Sequence, residues 1–77
     1  MRIINLDETG IKIITSNKKQ MYLSLEEIKK FIAKKYTLNN NILTLDAKKL
    51  ILSDKDVLEF PNIITYINDN FSEKEVL

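Results

Sequence analysis

The sequence predicts a small α+β domain in which an antiparallel β-sheet is covered on one face by two helices. Three features support this prediction: β-branched segments on both sides of the single glycine, an amphipathic helix with a clear start signal, and a second apolar periodic stretch near the single proline. A chain of 77 residues can bury only one hydrophobic core. We therefore expect one domain over residues 1–77.

The N-terminal part of the chain predicts a β-hairpin. Residues 1–6 (MRIINL) and residues 11–15 (IKIIT) are rich in β-branched side chains, which favour strands. Residues 7–10 (DETG) lie between them and contain the only glycine of the chain, which is typical of a hairpin turn. Residues 20–23 (QMYL) predict a third strand that runs directly into a helix.

The clearest element is a helix predicted over Leu23–Tyr36 (LSLEEIKKFIAKKY). Ser24 and Glu27 have the spacing of a capping box, in which each side chain accepts a hydrogen bond from the backbone N–H group of the other residue. Apolar side chains recur at helical spacing, and the predicted stripe consists of Leu25, Ile28, Phe31, Ile32 and Tyr36. We expect this stripe to be buried against the sheet.

The second half of the chain resembles the first closely enough to predict an internal (βββα)×2 pseudo-repeat. The alignment matches residues 4–7 with residues 43–46, and it matches the apolar stripe of the first helix with apolar residues further on, from Phe60 to Phe71. The repeat units span residues 1–38 and 39–72, and residues 73–77 are expected to form a frayed tail.

The repeat predicts a second helix from Pro61 to Phe71, because proline suits the first helical position. Asn39–Asn41 is expected to form a turn, since asparagine tolerates left-handed backbone angles. Two interpretations remain open for the stretch before Pro61. The repeat favours a turn followed by a strand over Val57–Phe60. Alternatively, Ser53 caps a short additional helix.

The residue inventory offers little for catalysis or for metal binding. The chain has no cysteine and no histidine, which excludes Ser-His and Cys-His arrangements and the usual zinc sites. Asp7 and Asp46 lie in equivalent turns, but aspartate at the start of a tight turn usually caps its own loop. Asp54, Asp56 and Glu59 lack the glycine and the further oxygen ligands of a calcium loop. We therefore expect no enzyme activity, no cofactor and no bound metal.

Charge is distributed unevenly along the chain. Residues 1–38 carry eight basic and four acidic side chains, a net charge of +4, whereas residues 39–77 carry four basic and seven acidic side chains, a net charge of −3. The candidate interaction surface consists of Lys18, Lys19, Tyr22, Lys29, Lys30, Lys34 and Lys35. The lysines are typical of a solvated helix face, on which Glu26 and Lys30 have the spacing of an ion pair. Alternatively, they form a face that follows a phosphate backbone.

By elimination, the sequence favours a small non-enzymatic module that binds another protein. The abundance of isoleucine, lysine and asparagine indicates a low-GC bacterium or phage, in which such a module acts as an inhibitor or regulator of a larger partner. The alternative is a nucleic-acid-binding module that uses the lysine-rich face of the first helix. The charge asymmetry and unpaired strand edges also predict a homodimer. Because no segment resembles a signal peptide or a membrane span, we expect a cytoplasmic location and no membrane partner.

Overall fold

The computed structural model describes residues 1–71, so the tail predicted over residues 73–77 lies outside the described residues. The elements in chain order are β1 (Arg2–Asn5), β2 (Gly10–Ile14), β3 (Gln20–Ser24), α1 (Leu25–Ile32), β4 (Tyr36–Asn39), β5 (Ile42–Leu45), β6 (Lys48–Ile51) and α2 (Asp54–Phe71). The predicted α+β class is confirmed. The strands form two three-stranded antiparallel sheets, β1-β2-β3 and β4-β5-β6, rather than one sheet.

Both sheets and both helices contribute to one hydrophobic core. Alternate residues of the strands point inward, as the period of two in a β-strand requires. The buried apolar side chains are Ile11, Ile13, Met21, Leu23, Ile28, Phe31, Leu43, Leu45, Leu50, Leu52, Phe60, Ile63 and Ile67. Phe31 joins the two halves, because its ring stacks on Tyr36 at 4.5 Å and meets the edge of Phe60 at 5.9 Å between ring centroids. The predicted packing of the two helices in a shared core is confirmed.

The start of α1 follows the prediction. The Ser24 hydroxyl oxygen accepts a hydrogen bond from the Glu27 N–H group at 3.2 Å, and the Glu27 carboxylate accepts one from the Ser24 N–H group at 2.9 Å. This reciprocal arrangement is the predicted capping box. Leu25 departs from the prediction, because it is 43% exposed and does not join the buried stripe.

The end of α1 differs from the prediction, since the helix stops at Ile32 and Tyr36 begins β4. Lys34 adopts a left-handed conformation with φ of 61°. Its N–H group donates to the Phe31 carbonyl oxygen, and the next N–H group, of Lys35, donates to the Lys30 carbonyl oxygen, both at 3.0 Å. These two hydrogen bonds form a Schellman motif, which usually has glycine at the left-handed position.

The predicted strand Val57–Phe60 and the predicted helix start at Pro61 are both wrong, because α2 begins at Asp54 and contains Pro61 in its interior. Ser53 caps the helix, as the alternative interpretation expects, and its hydroxyl oxygen accepts a hydrogen bond from the Asp56 N–H group at 3.1 Å. An interior proline costs about 3 kcal/mol because one helical hydrogen bond is lost. The longer helix offsets this cost by burying Phe60, which is 4% exposed.

The predicted pseudo-repeat is not confirmed. Each half contains three strands followed by a helix, but the sequence alignment matches β1, an outer strand, with β5, the middle strand of the second sheet. The two helices also differ in length, with 8 residues in α1 and 18 in α2.

Left-handed residues other than glycine shape the turns. They are Asp7, Lys18, Lys34, Asn40, Asn41 and Asp46. Asn40 and Asn41 have φ of 53° and 63°, as a two-residue type I′ hairpin requires, so the predicted asparagine turn is confirmed. Gly10 also has a positive φ, of 139°, and a Cβ atom there would lie 2.1 Å from the Leu23 carbonyl oxygen.

Replacing Lys34 by glycine is expected to stabilise the protein, because glycine adopts the left-handed conformation without the steric cost of a Cβ atom. We expect the free energy of unfolding in urea to rise by about 0.5–1 kcal/mol. Lys35→Gly is the matched control, since Lys35 has no left-handed backbone, and it should lower the stability. A loss of stability in both variants would contradict this account of the helix end.

Candidate functional site

The residues of the predicted interaction surface lie in three separate regions. Lys18 and Lys19 are in the turn between β2 and β3, and Tyr22 is on β3. Lys29 and Lys30 are on α1, and Lys34 and Lys35 follow its end. Within residues 1–71, no side-chain hydrogen bond or ion pair joins one region to another. The predicted surface thus consists of residues from a turn, from a strand, and from the helix with the residues that follow it.

The lysine-rich face of α1 is partly neutralised by neighbouring carboxylates. Lys30 Nζ lies 2.9 Å from Asp46 Oδ2, and this hydrogen-bonded carboxylate raises the pKa of Lys30 above its ordinary value. Lys29 Nζ lies 3.9 Å from Glu26 Oε2, so Glu26 forms its ion pair with Lys29 and not with Lys30 as predicted. Half of the four lysines on and after α1 are therefore already paired.

The first sheet has an outward side, here called the open face, which lies opposite the core. Its side chains are Arg2, Ile4, Lys12, Ile14, Gln20 and Tyr22. Ile4, Lys12 and Tyr22 are cross-strand neighbours in one row, and Ile4 and Tyr22 are 37% and 40% exposed. None of the six side chains is acidic. The open face thus combines apolar, aromatic and cationic groups.

Contacts at both ends hold Tyr22 in place. Its hydroxyl group donates to the Thr9 carbonyl oxygen at 2.6 Å, and Lys48 Nζ lies 5.2 Å from the centre of its ring, within cation–π range. Lys48 Nζ also donates to the Tyr22 carbonyl oxygen at 2.6 Å and to Glu27 Oε1 at 2.7 Å. The predicted interaction surface includes Tyr22 but not Lys48, so it misses this link between the two sheets.

Glu27 is the anionic partner in this link. The hydrogen bond from Lys48, followed by the one from the Ser24 backbone, lowers the pKa of Glu27 below its ordinary value. The Glu27 carboxylate therefore has two structural roles. It completes the cap of α1, and it binds the Lys48 ammonium group that bridges the sheets.

A second carboxylate, that of Asp56, is completely buried. The Ser16 N–H group lies 3.2 Å from both of its oxygen atoms, the Ser16 hydroxyl group donates to it at 3.1 Å, and the Ser53 N–H group donates at 3.3 Å. The Met1 amino nitrogen lies 3.5 Å away and also contacts Glu59 at 2.8 Å.

Burial raises the pKa of Asp56, but the hydrogen bonds from the backbone N–H groups of Ser16 and Ser53 outweigh it, so the net pKa is lowered. Within residues 1–71, no buried side-chain nitrogen or oxygen atom lacks a hydrogen-bond partner. The role of Asp56 is therefore structural. The S-x-x-D spacing of residues 53–56 is the sequence signal that could have identified it.

Two further findings concern the part of the chain that the structure describes. No group of three or more acidic, cysteine or histidine side chains is placed to hold a metal ion there. A shallow groove between the start of α1 and the end of α2 is lined by Leu25, Glu26, Ile28, Lys29, Asn70 and Phe71.

Neither helix in residues 1–71 has both the length and the hydropathy needed to cross a membrane. No protein-family model, curated protein or solved structure matches the chain significantly.

The depressed pKa values of Asp56 and Glu27 predict a loss of stability in acid. These two carboxylates bind protons more readily in the unfolded chain than in the folded protein. The free energy of unfolding should therefore be constant above about pH 5 and fall as the pH drops below about 4. Asp56→Asn should reduce the stability at pH 7 by about 2–3 kcal/mol and flatten the acid dependence.

Asp54→Asn is the matched control, because Asp54 lies in the same helical turn but is exposed. Urea titrations between about pH 3 and pH 7 should show a change within about 0.5 kcal/mol for this control. An Asp56→Asn variant with an unchanged pH profile would contradict the assigned role of Asp56.

Proposed function

We propose that this chain is a small non-enzymatic module that binds another protein through the open face of its first sheet. The observation that carries the proposal is the row of Ile4, Lys12 and Tyr22, in which Ile4 and Tyr22 are exposed and Lys12 is partly buried. Tyrosine is enriched in the energetically dominant parts of protein interfaces, where it combines a large apolar area with a polar tip. The contacts of Tyr22 with Thr9 and Lys48 fix the ring before binding, which lowers the entropic cost of association.

The charge of the open face indicates the kind of protein surface that it fits. Arg2 and Lys12 are on this face, and it has no acidic side chain. Charge complementarity therefore favours a partner surface with exposed carboxylates. The apolar residues between the cations, Ile4 and Ile14, would contact apolar side chains of that partner.

The wider biological role is also part of this proposal. A module of 77 residues without histidine or cysteine can act by covering a site on a larger partner, as an inhibitor or regulator does. The composition supports an origin in a low-GC bacterium or phage, and we place the module in the cytoplasm, where it binds its partner without membrane association.

A photo-crosslinking amino acid in place of Tyr22 tests the proposed surface. In a lysate of the native host, illumination should produce one discrete adduct, and a second substitution on the same face, Ile4→Glu, should abolish it. The matched control carries the same amino acid in place of Leu58, which is 81% exposed on α2. The proposal is wrong if position 22 gives no adduct, or if position 58 gives the same one.

The alternative function, binding of nucleic acid by the lysine-rich face of α1, is supported by Lys34 and Lys35. Their ammonium groups have no ion-pair partner within residues 1–71, whereas Lys29 and Lys30 are paired with carboxylates. The paired lysines weaken this alternative, because carboxylates that stay beside them repel a phosphate backbone.

We expect no binding of labelled single-stranded or duplex DNA in fluorescence anisotropy at about 50 mM salt. Binding that weakens steeply toward about 200 mM salt would favour the alternative function. In that case, replacing both Lys34 and Lys35 by glutamine should reduce the slope of affinity against salt. The same double substitution at Lys18 and Lys19 is the control for a general effect of charge.

A further inference from the structure

We propose that a second copy of the chain pairs with the free edge of β1, so that the two first sheets form one continuous six-stranded sheet with a two-fold axis at Ile4. This inference goes beyond the proposed function, because the second copy occupies the edge of the first sheet and leaves Lys12 and Tyr22 of its open face accessible. The sequence predicts a homodimer in general terms, and this inference specifies the strand that pairs, its register and the position of the symmetry axis.

Two of the four outer strands are available for pairing. β3 and β6 lie against each other, and Lys48 Nζ already binds the Tyr22 carbonyl oxygen on the edge of β3. Within residues 1–71, β1 is hydrogen-bonded only to β2, and β4 only to β5. An unpaired edge is a template for another strand unless charge, proline or a bulge protects it. β1 contains one charged residue, Arg2, and no proline.

The hydrogen-bond alternation of the first sheet identifies the free groups on β1. The Leu6 N–H group donates to the Gly10 carbonyl oxygen at 2.8 Å, so this position is a hydrogen-bonded pair. Hydrogen-bonded and non-hydrogen-bonded pairs alternate along an antiparallel ladder. The backbone groups of Ile4 therefore bond to β2, whereas Ile3 and Asn5 point their N–H and C=O groups outward. The same alternation explains why the Tyr22 carbonyl group on β3 points outward and reaches Lys48.

A two-fold axis at Ile4 uses every outward group of β1. Ile3 then pairs with the partner's Asn5, and Asn5 pairs with the partner's Ile3, which gives four main-chain hydrogen bonds. Ile4 faces the partner's Ile4 across the axis, so two exposed apolar side chains cover each other.

The charges also fit this arrangement. Arg2 lies opposite the partner's Leu6, next to the acidic turn that contains the partner's Asp7 and the partner's Glu8. The Lys12 side chains are separated by three strand spacings, about 14 Å. This distance exceeds the Debye length of about 8 Å at physiological salt, so their repulsion is screened.

The edge of β4 is a poorer template than that of β1. The outward-facing side chains of β4 are Thr37 and Asn39, which are polar and exposed. Pairing there would bury no apolar surface comparable to Ile4. Because the β1 interface contains only four hydrogen bonds and one apolar pair at its axis, we expect a weak dimer whose population depends strongly on concentration.

Cysteine crosslinking tests the strand and the register together, since the chain has no cysteine of its own. In a pair that is not hydrogen-bonded, the Cα atoms are about 4.5 Å apart, within the range that a disulfide spans. Ile4→Cys should therefore form a disulfide-linked dimer under mild oxidation at least about tenfold faster than the control. The control is Ile51→Cys, because Ile51 is more exposed, at 57%, and lies on the second sheet. Equal rates for the two variants would overturn the proposal.

Sedimentation equilibrium of the unsubstituted chain provides the second measurement. We expect a monomer–dimer equilibrium at hundreds of micromolar, and Asn5→Pro should reduce the dimer fraction because it removes an outward N–H group without touching the β1–β2 ladder. A purely monomeric chain at these concentrations would overturn the dimer. It would leave the crosslink at Tyr22 unaffected, so failure of the dimer and failure of the proposed function are distinguishable.

Discussion

The buried carboxylate of Asp56 determines how the parts of this molecule fit together. Isolated in an apolar interior, an ionised carboxylate would be highly unfavourable. Here it accepts hydrogen bonds from Ser16, in the turn between β2 and β3, and from Ser53, at the start of α2. These bonds fix the helix start relative to the first sheet. Phe60, four residues after Asp56, is buried on the same helix and contacts the ring of Phe31.

A second set of ion pairs joins the two halves at the other end of the domain. Lys30 of the first half binds Asp46 of the second, and Lys48 of the second half binds Glu27 of the first. The opposite charges of the halves are thus partly satisfied within one molecule. The Lys30–Asp46 pair is exposed, and exposed pairs contribute little to stability individually. The proposed self-association therefore depends on the edge of β1 and not on the charge asymmetry.

Local signals in the sequence predict much of this structure, and the errors occur where a distant or competing interaction decides the outcome. The cap at Ser24 and the asparagine turn depend on neighbouring residues and are predicted correctly. The end of α1 is predicted incorrectly, because Lys34 occupies a left-handed position at which glycine is usual. The start of α2 is misplaced because the Ser53–Asp56 cap prevails over the signal from Pro61.

The candidate site is likewise predicted only in part. The predicted interaction surface includes Tyr22. The repeat alignment, however, matches Ile4 with Leu43, which is a core residue, so Ile4 is not predicted as the apolar neighbour of Tyr22 on the open face. The division of the strands into two sheets could not be predicted either. Hydrophobic patterns specify which side of a strand is buried but not which strands are neighbours.

The pairing of each strand with its neighbour in sequence has a consequence for how the chain folds. The four strand pairings in the described part of the chain are all hairpins, so these sheet contacts form without closing long loops. The contact between Ser16 and Asp56, by contrast, spans 40 positions. Assembly is thus expected to proceed from the turns to the two sheets and then to their union, with the burial of Asp56 as a late event. The carboxylate would remain hydrated until its hydrogen-bond donors are in place.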